Sequence, residues 1–211
     1  MRANEFINEQ IIDELDPGYV NQTIGQDPNW SNLGSGYTAS VWQHLSEPDQ
    51  VVKVVGGGSE GITQGEHRGL YTGTVALVHF LVDHGHLSTH FPIIHGINID
   101  DNEVLQIRLE KLFPLEQEIC NRLSDIVTSE KFGGVSAYEK VRLNLLIHDD
   151  GTRNKNDADS LVNAIKLLIK AAPIYAKAHK LDNIGVDLHG GNWLQRQDGT
   201  IVAADPWVSF D

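Results

Sequence analysis

The chain is poor in sulfur and in aromatic residues, with one cysteine, one methionine and 7% Phe, Trp and Tyr together. Cys120 stands alone, so an internal disulfide is impossible and a cysteine-based metal site is not expected. No apolar run approaches the roughly 18 residues needed to span a membrane. The opening Met-Arg-Ala-Asn-Glu-Phe-Ile-Asn-Glu-Gln lacks the apolar core of a signal peptide. A cytoplasmic location with no membrane partner is the expectation. Basic residues are also scarce, 16 Lys and Arg against 29 Asp and Glu, for a formal charge of −13. Nonspecific nucleic-acid affinity comes from lysine and arginine, so no nucleic-acid partner is expected. Any anionic ligand must be met by a local cation or a metal. What remains is 211 residues, 40% hydrophobic and 21% charged, enough for one or two domains with a sizeable core.

Patterning divides the chain into a strand-rich front and a helical back, which predicts an α+β fold. Residues 4–16 read as a short amphipathic helix stopped by Asp16-Pro17-Gly18. Alternation predicts strands at 30–36, 38–44 and 50–55, with Glu47-Pro48-Asp49 as the second turn. A helix is expected over 62–84, buried through Leu70, Ala76, Leu77, Phe80 and Leu81, then strands at 92–99 and 103–109. The region to 182 reads as mostly helical; its clearest piece is 158–180, with Pro173 as an expected kink and 149–157 as an exposed loop before it. The expected division is an extension over 1–29, a β-rich lobe over 30–109 and a helical lobe over 110–211.

Three constellations carry chemistry. Gly34-Ser35-Gly36 lies at the tip of a predicted hairpin, where glycines let backbone amides approach phosphate oxygens. Lys53 sits among Val51, Val52, Val54 and Val55 on a strand expected to be buried on one face. An ammonium there needs a carboxylate or a phosphate, unless the strand lies at a sheet edge and the lysine points to water. The third is Asp187, Asn192 and Asp205 in an otherwise strand-like stretch. Asp198-Gly199 predicts a two-residue hairpin turn, which sets Leu194 opposite Ala203 and Asn192 opposite Asp205. Facing residues lie about 4.5–5.5 Å apart. Hard oxygen ligands so grouped suit Mg²⁺ carrying a nucleotide phosphate, and Asp187, in a loop after a helix, suits proton acceptance from a hydroxyl. His84, His86, His90 and His95 show no metal-ligand spacing and read as surface or core-edge residues. Trp193 and Trp207 read as packing residues.

Gly34-x-Gly36-x-x-Ala39-x-Val41, Lys53, Asp187-x-x-x-x-Asn192 and Asp205 resemble the nucleotide loop, strand lysine, catalytic loop and metal aspartate of protein kinases. Asp187-Leu188-His189-Gly190-Gly191-Asn192 resembles the version in aminoglycoside-type and atypical kinases. Leu109-Glu110-Lys111-Leu112 resembles their adenine-holding hinge. The Leu-Gly-x-Gly loop, the lysine strand and the Asp205-Pro206-Trp207-Val208-Ser209-Phe210 ending are similar to the early serine/threonine kinases of T-seven-type bacteriophages. The resemblance implies a truncated two-lobed kinase-like fold that uses ATP and Mg²⁺ on host proteins in the infected bacterial cytoplasm. It implies that Gly34, Ser35, Gly36, Val41, Lys53, Glu110 and Leu112 bind ATP. Glu66, or failing it Glu60, would orient Lys53, with Asp187 and His189 at the reacting end and Asn192 and Asp205 as metal ligands.

The chain departs from the pattern at three places. Ala39 replaces the third loop glycine, Gly185-Val186 replaces His-Arg, and Pro206-Trp207 replaces Phe-Gly. With six residues after Asp205 and no activation segment, constitutive activity and substrate recognition through another surface are expected. Two rival readings are a small-molecule phosphotransferase of aminoglycoside type, with the acidic 149–159 loop meeting a cationic substrate, and a catalytically silent module that binds a host protein.

Overall fold

In the computed structural model, residues 27–35, 39–55, 68–99, 105–148, 158–181 and 184–209 are described. The expected helix at 4–16, the 149–157 loop, Gly36, Glu60 and Glu66 lie outside them. The alternating stretch folds as three strands, β1 (Trp30–Ser35), β2 (Ala39–His44) and β3 (Gln50–Val55). The β2–β3 turn is closed by Glu47 N donating to His44 O at 3.1 Å and Gln50 N to Glu47 O at 3.3 Å. With β4 (Ile94–Ile99) and β5 (Leu105–Glu110) they form one antiparallel sheet in the order β1-β2-β3-β5-β4. β3 is therefore central, which removes the reading of Lys53 as an edge-strand lysine.

Between β3 and β4 runs helix α1 (Arg68–His84), whose Val75, Ala76, Leu77, Val78, Phe80 and Leu81 are buried. Ala76, Leu77, Phe80 and Leu81 follow the predicted stripe; the side chain of Leu70 is not among those described. The chain divides into two compact units, one of residues to His79 plus Ile93–Lys111, the other of Phe80–Pro92 plus Leu112 onward. The strand-rich part thus ends two residues beyond the expected 109, and a short segment around 80–92 clusters with the helical part.

The second unit holds α2 (Gln117–Phe132), α3 (Ala137–His148) and α4 (Ala158–Ala178). Their apolar faces meet through Ile119, Leu123, Leu143, Ile147, Leu161 and Ile165, all fully buried. Each such side chain contributes about 1.5–3 kcal/mol by leaving water. α4 continues through the exposed Pro173 to Ala178. A capping box opens α3: Ser136 N donates to Glu139 Oε2 at 2.8 Å and Glu139 N to Ser136 Oγ at 3.2 Å. Ser129 Oγ of α2 donates to the other oxygen of Glu139 at 2.5 Å, so one carboxylate ties two helices. These bonds from Ser129 and Ser136 hold the Glu139 carboxyl down at about 2.

The remaining strands are short. β6 (Phe113–Pro114), in a stretch expected to be helical, pairs with β8 (Trp193–Gln195), and β8 pairs with β9 (Ile201–Ala203). Two residues suffice there because Gln195 Nε2 also donates to Pro114 O at 2.8 Å. β7 (Ile184–Val186) pairs with β10 (Trp207–Ser209). Trp207 packs among Phe80 and Tyr175 at ring-centroid distances of 5.0 and 5.8 Å, and Trp193 is buried, so both tryptophans are packing residues. Burial, with Tyr175 O–H donating to Asp83 at 2.6 Å, pushes the phenol's pKa up.

His90 corrects an expectation. It is fully buried, not a core-edge residue. Its Nδ1 lies 2.8 Å from Ile201 O, which can only accept, so Nδ1 carries the proton. In that tautomer Nε2 accepts from Ser160 O–H at 2.8 Å. One imidazole thus joins β9 to α4, and polar bonds at both nitrogens are what permit its burial. Among the described residues no helix is long and apolar enough to cross a membrane.

Candidate functional site

The two units each carry part of the predicted site. In the first, Lys53 lies in the middle of β3, half-buried, opposite Val41 of β2 and Ile107 of β5. Residues paired across a ladder share a face, so Lys53 lies with Val51, Val55, Leu105 and Leu109 on an apolar surface. Gly34 pairs with Val41 next to a register irregularity between Asn32 and Gly34, and Ser35 ends the strand. A Cβ on Gly34 would meet nothing within 4 Å, so no packing demand inside the fold explains the glycine. At the far end of β5, Glu110 N donates to Ile93 O at 3.1 Å and Lys111 N to Asp49 O at 2.8 Å. The Glu110 carboxylate accepts from Ile93 N at 2.9 Å. Those two amides are committed within the sheet.

In the second unit Asp187, His189, Asn192 and Asp205 are brought together, though not by the predicted pairing. The observed hairpin register sets Trp193 opposite Ala203 and Gln195 opposite Ile201. Asn192 consequently faces Ala204, whose N–H donates to Asn192 O at 2.9 Å, and not Asp205. A two-residue turn of the expected type needs positive φ at both central residues. Here, in the turn, only Gly199 has it, at 81°. Asp198 instead uses Oδ1 to accept from Thr200 N and Thr200 Oγ1, at 3.0 and 2.7 Å. The loop lengthens to Gln197-Asp198-Gly199 and every pairing slips by one residue.

Asp187 also sits differently from the expectation of a loop after a helix: it directly follows strand β7. Its N–H donates to Pro206 O at 2.8 Å, continuing the β7–β10 ladder and bringing the backbone after Asp205 against it. Asn192 Nδ2 donates to the backbone carbonyl of Asp187 and lies 3.5 Å from its Oδ2. With Nδ2 so committed, Oδ1 is the atom of Asn192 that can serve a cation. The loop between them is closed by a short 3₁₀ turn, Gly190–Asn192, in which Asn192 N donates to His189 O at 2.9 Å. His189 Nδ1 accepts from Gly191 N at 3.2 Å, which leaves the proton of a neutral ring on Nε2, 3.7 Å from Asp187 Oδ2. His189 therefore braces the loop. The side chains of Asp187 and His189 are 41% and 63% exposed, accessible to an incoming molecule.

The arrangement offers hard oxygen donors from Asp187, Asn192 Oδ1 and Asp205. Among the described residues no group of three or more His, Cys, Asp or Glu could hold a metal ion. A divalent ion here would take its remaining ligands from phosphate and water, as Mg²⁺ does; the donor set fits that use.

Sequence reasoning missed one side of the site. Gln117, Cys120, Ser124 and Lys131 of α2 all approach the 186–193 segment. A Cβ on Gly190 would stand 3.1 Å from Gln117 Nε2 and 3.6 Å from Cys120 Cβ. Ser124 Oγ donates to Leu188 O at 3.1 Å, and Lys131 Nζ to Val186 O at 2.8 Å. The only available signal was their spacing, three, four and seven residues apart, which puts them on one helical stripe.

No protein-family model and no curated protein matches the chain. Among solved structures, the GDP complex of a point mutant of aminoglycoside 2'-phosphotransferase-IIIa is similar at 14% identity and a TM-score of 0.35. The match covers 91% of this chain and 67% of that one.

Proposed function

We propose that this chain is an ATP-dependent phosphotransferase that acts as a serine/threonine protein kinase. The observation that carries the reading is the bonding of the 187–206 segment. Asp187, Asn192 and the two neighbours of Asp205 are linked by Asp187 N to Pro206 O, Ala204 N to Asn192 O, and Asn192 Nδ2 to Asp187 O. An Asx-rich surface turn has no need of such reciprocal bonding. In this reading Gly34, Ser35, Gly36 and Val41 cover the phosphates and Lys53 pairs with them, oriented by Glu66. The Glu110 carbonyl and Leu112 amide meet the adenine. Asp187 accepts the proton of the attacking hydroxyl. Asn192 and Asp205 would hold Mg²⁺, which when bound neutralises charge on the transferring phosphate. Resemblance to the phage enzymes supports host proteins as acceptors in the infected bacterial cytoplasm.

A second reading, phosphoryl transfer to a small cationic molecule, draws on the 187–192 loop, whose His189 braces it through Gly191. One experiment separates them: radiolabelled ATP with and without magnesium, offered a bacterial lysate or an aminoglycoside panel. The expected result is magnesium-dependent label on serine and threonine, reduced at least about 100-fold in Asp187→Asn, the scale of a lost general base. Label on an aminoglycoside alone selects the second reading. No transfer to either, or transfer undiminished by Asp187→Asn and Asp205→Asn, rejects both in favour of a binding module.

A further inference from the structure

Helix α2 and the 186–193 segment run against each other in opposite directions. Gln117 and Cys120 meet Gly190, Cys120 Sγ lies 4.0 Å from Trp193 O, Ser124 meets Leu188, and Lys131 meets Val186. Ser124 and Lys131 are seven residues apart, two helical turns, so both project from one side of α2. Their acceptors are the carbonyls immediately before and immediately after Asp187. The Asp187 amide is held by Pro206 O and its carbonyl by Asn192. These four backbone bonds at and around Asp187 join it to groups distant in the sequence or five residues on, and two of the donors come from α2.

We propose that Lys131 and Ser124 are positioning residues that set the aim of the Asp187 carboxylate. The inference rests on the reading of Asp187 as the group that accepts the hydroxyl proton. Neither side chain needs to touch substrate. Lys131 supplies an ammonium with three donors, and its bond to Val186 O fixes the peptide that enters Asp187. Ser124 has one proton, shared between Cys120 O at 2.9 Å in its own helix and Leu188 O at 3.1 Å, so its hold is the weaker. The sequence before Asp187 is Gly185-Val186, which offers no side-chain donor of its own, and Lys131 takes that position from another element. A lysine in the last turn of α2 also favours the helix dipole, so the test must separate aim from helix stability.

The test compares Lys131→Met, Lys131→Arg and Ser124→Ala with the unmodified protein in magnesium-dependent ATP transfer, recording kcat, KM for ATP and the melting temperature. Misplacement of a reacting group by 1 Å costs about 100-fold; loss of one of several restraints should cost roughly tenfold in kcat for Lys131→Met. KM for ATP and the melting temperature should hold, Lys131→Arg should restore kcat, and Ser124→Ala should lose less. Full kcat in Lys131→Met overturns the inference, as does a loss that tracks the melting temperature or appears in KM instead. If the unmodified protein transfers phosphate and Lys131→Met matches it, only the positioning role falls. If the unmodified protein transfers none, the functional reading falls and this inference with it.

Discussion

Replacing His90 by alanine tests whether a buried polar hub holds the second unit together. The ring is fully buried and bonds Ile201 O and Ser160 O–H, each at 2.8 Å. Each bond lost from a buried partner is worth about 1–1.5 kcal/mol. Removing a ring-sized side chain from a close-packed interior adds about 2 kcal/mol or more for the cavity. The sum is a destabilisation of about 4 kcal/mol, against total stabilities of about 5–15 kcal/mol for whole domains. Ser160→Ala removes the bond to His90 Nε2 and little volume, a cost of about 1 kcal/mol for that bond. Urea unfolding followed by tryptophan emission measures both, since Trp193 and Trp207 are buried in this unit. A midpoint shift without a change of slope is expected. The two losses should also be non-additive in a double-mutant cycle, because the residues share a bond. A His90→Ala loss under about 1 kcal/mol, a surface-like value, would refute the hub.

Two further perturbations address local geometry. Gly199→Ala places a Cβ where φ is 81° and should cost about 1–2 kcal/mol in the same unfolding assay; an unchanged midpoint would mean the turn relaxes freely. Glu139 has its carboxyl lowered from 4.5 to about 2 by its serine bonds. Because the folded value is depressed, its stabilisation is fully present above pH 4.5 and is lost as pH falls towards 2. Glu139→Gln should flatten the acid limb of a stability–pH curve across that window, and a parallel curve would argue that the carboxylate is not held.

Much of the fold was legible because periodicity reports burial directly. The strands around Lys53 and the stripe of α1 lie where alternation and helical spacing put them, whereas the central position of β3 was not legible, because valines beside a lysine fit an edge strand as well. The site was harder. Asp198-Gly199 marked the hairpin correctly, but whether the loop holds two residues or three turned on Asp198 bonding Thr200, a choice of one hydrogen bond with no trace in the local pattern. His90 looked like any histidine among polar neighbours, since its partners lie 70 and 111 residues away. Gln117, Ser124 and Lys131 do not stand out in a stretch that reads only as helical, because a polar stripe facing a loop and one facing water have the same spacing.

Asp205 sits between two anchored peptides: Ala204 donates to Asn192 on one side, and Pro206 accepts from Asp187 on the other. Shifting the backbone at Asp205 means breaking both contacts and disturbing Trp207 among Phe80 and Tyr175, so the freedom left to this carboxylate is rotation about its own side-chain bonds.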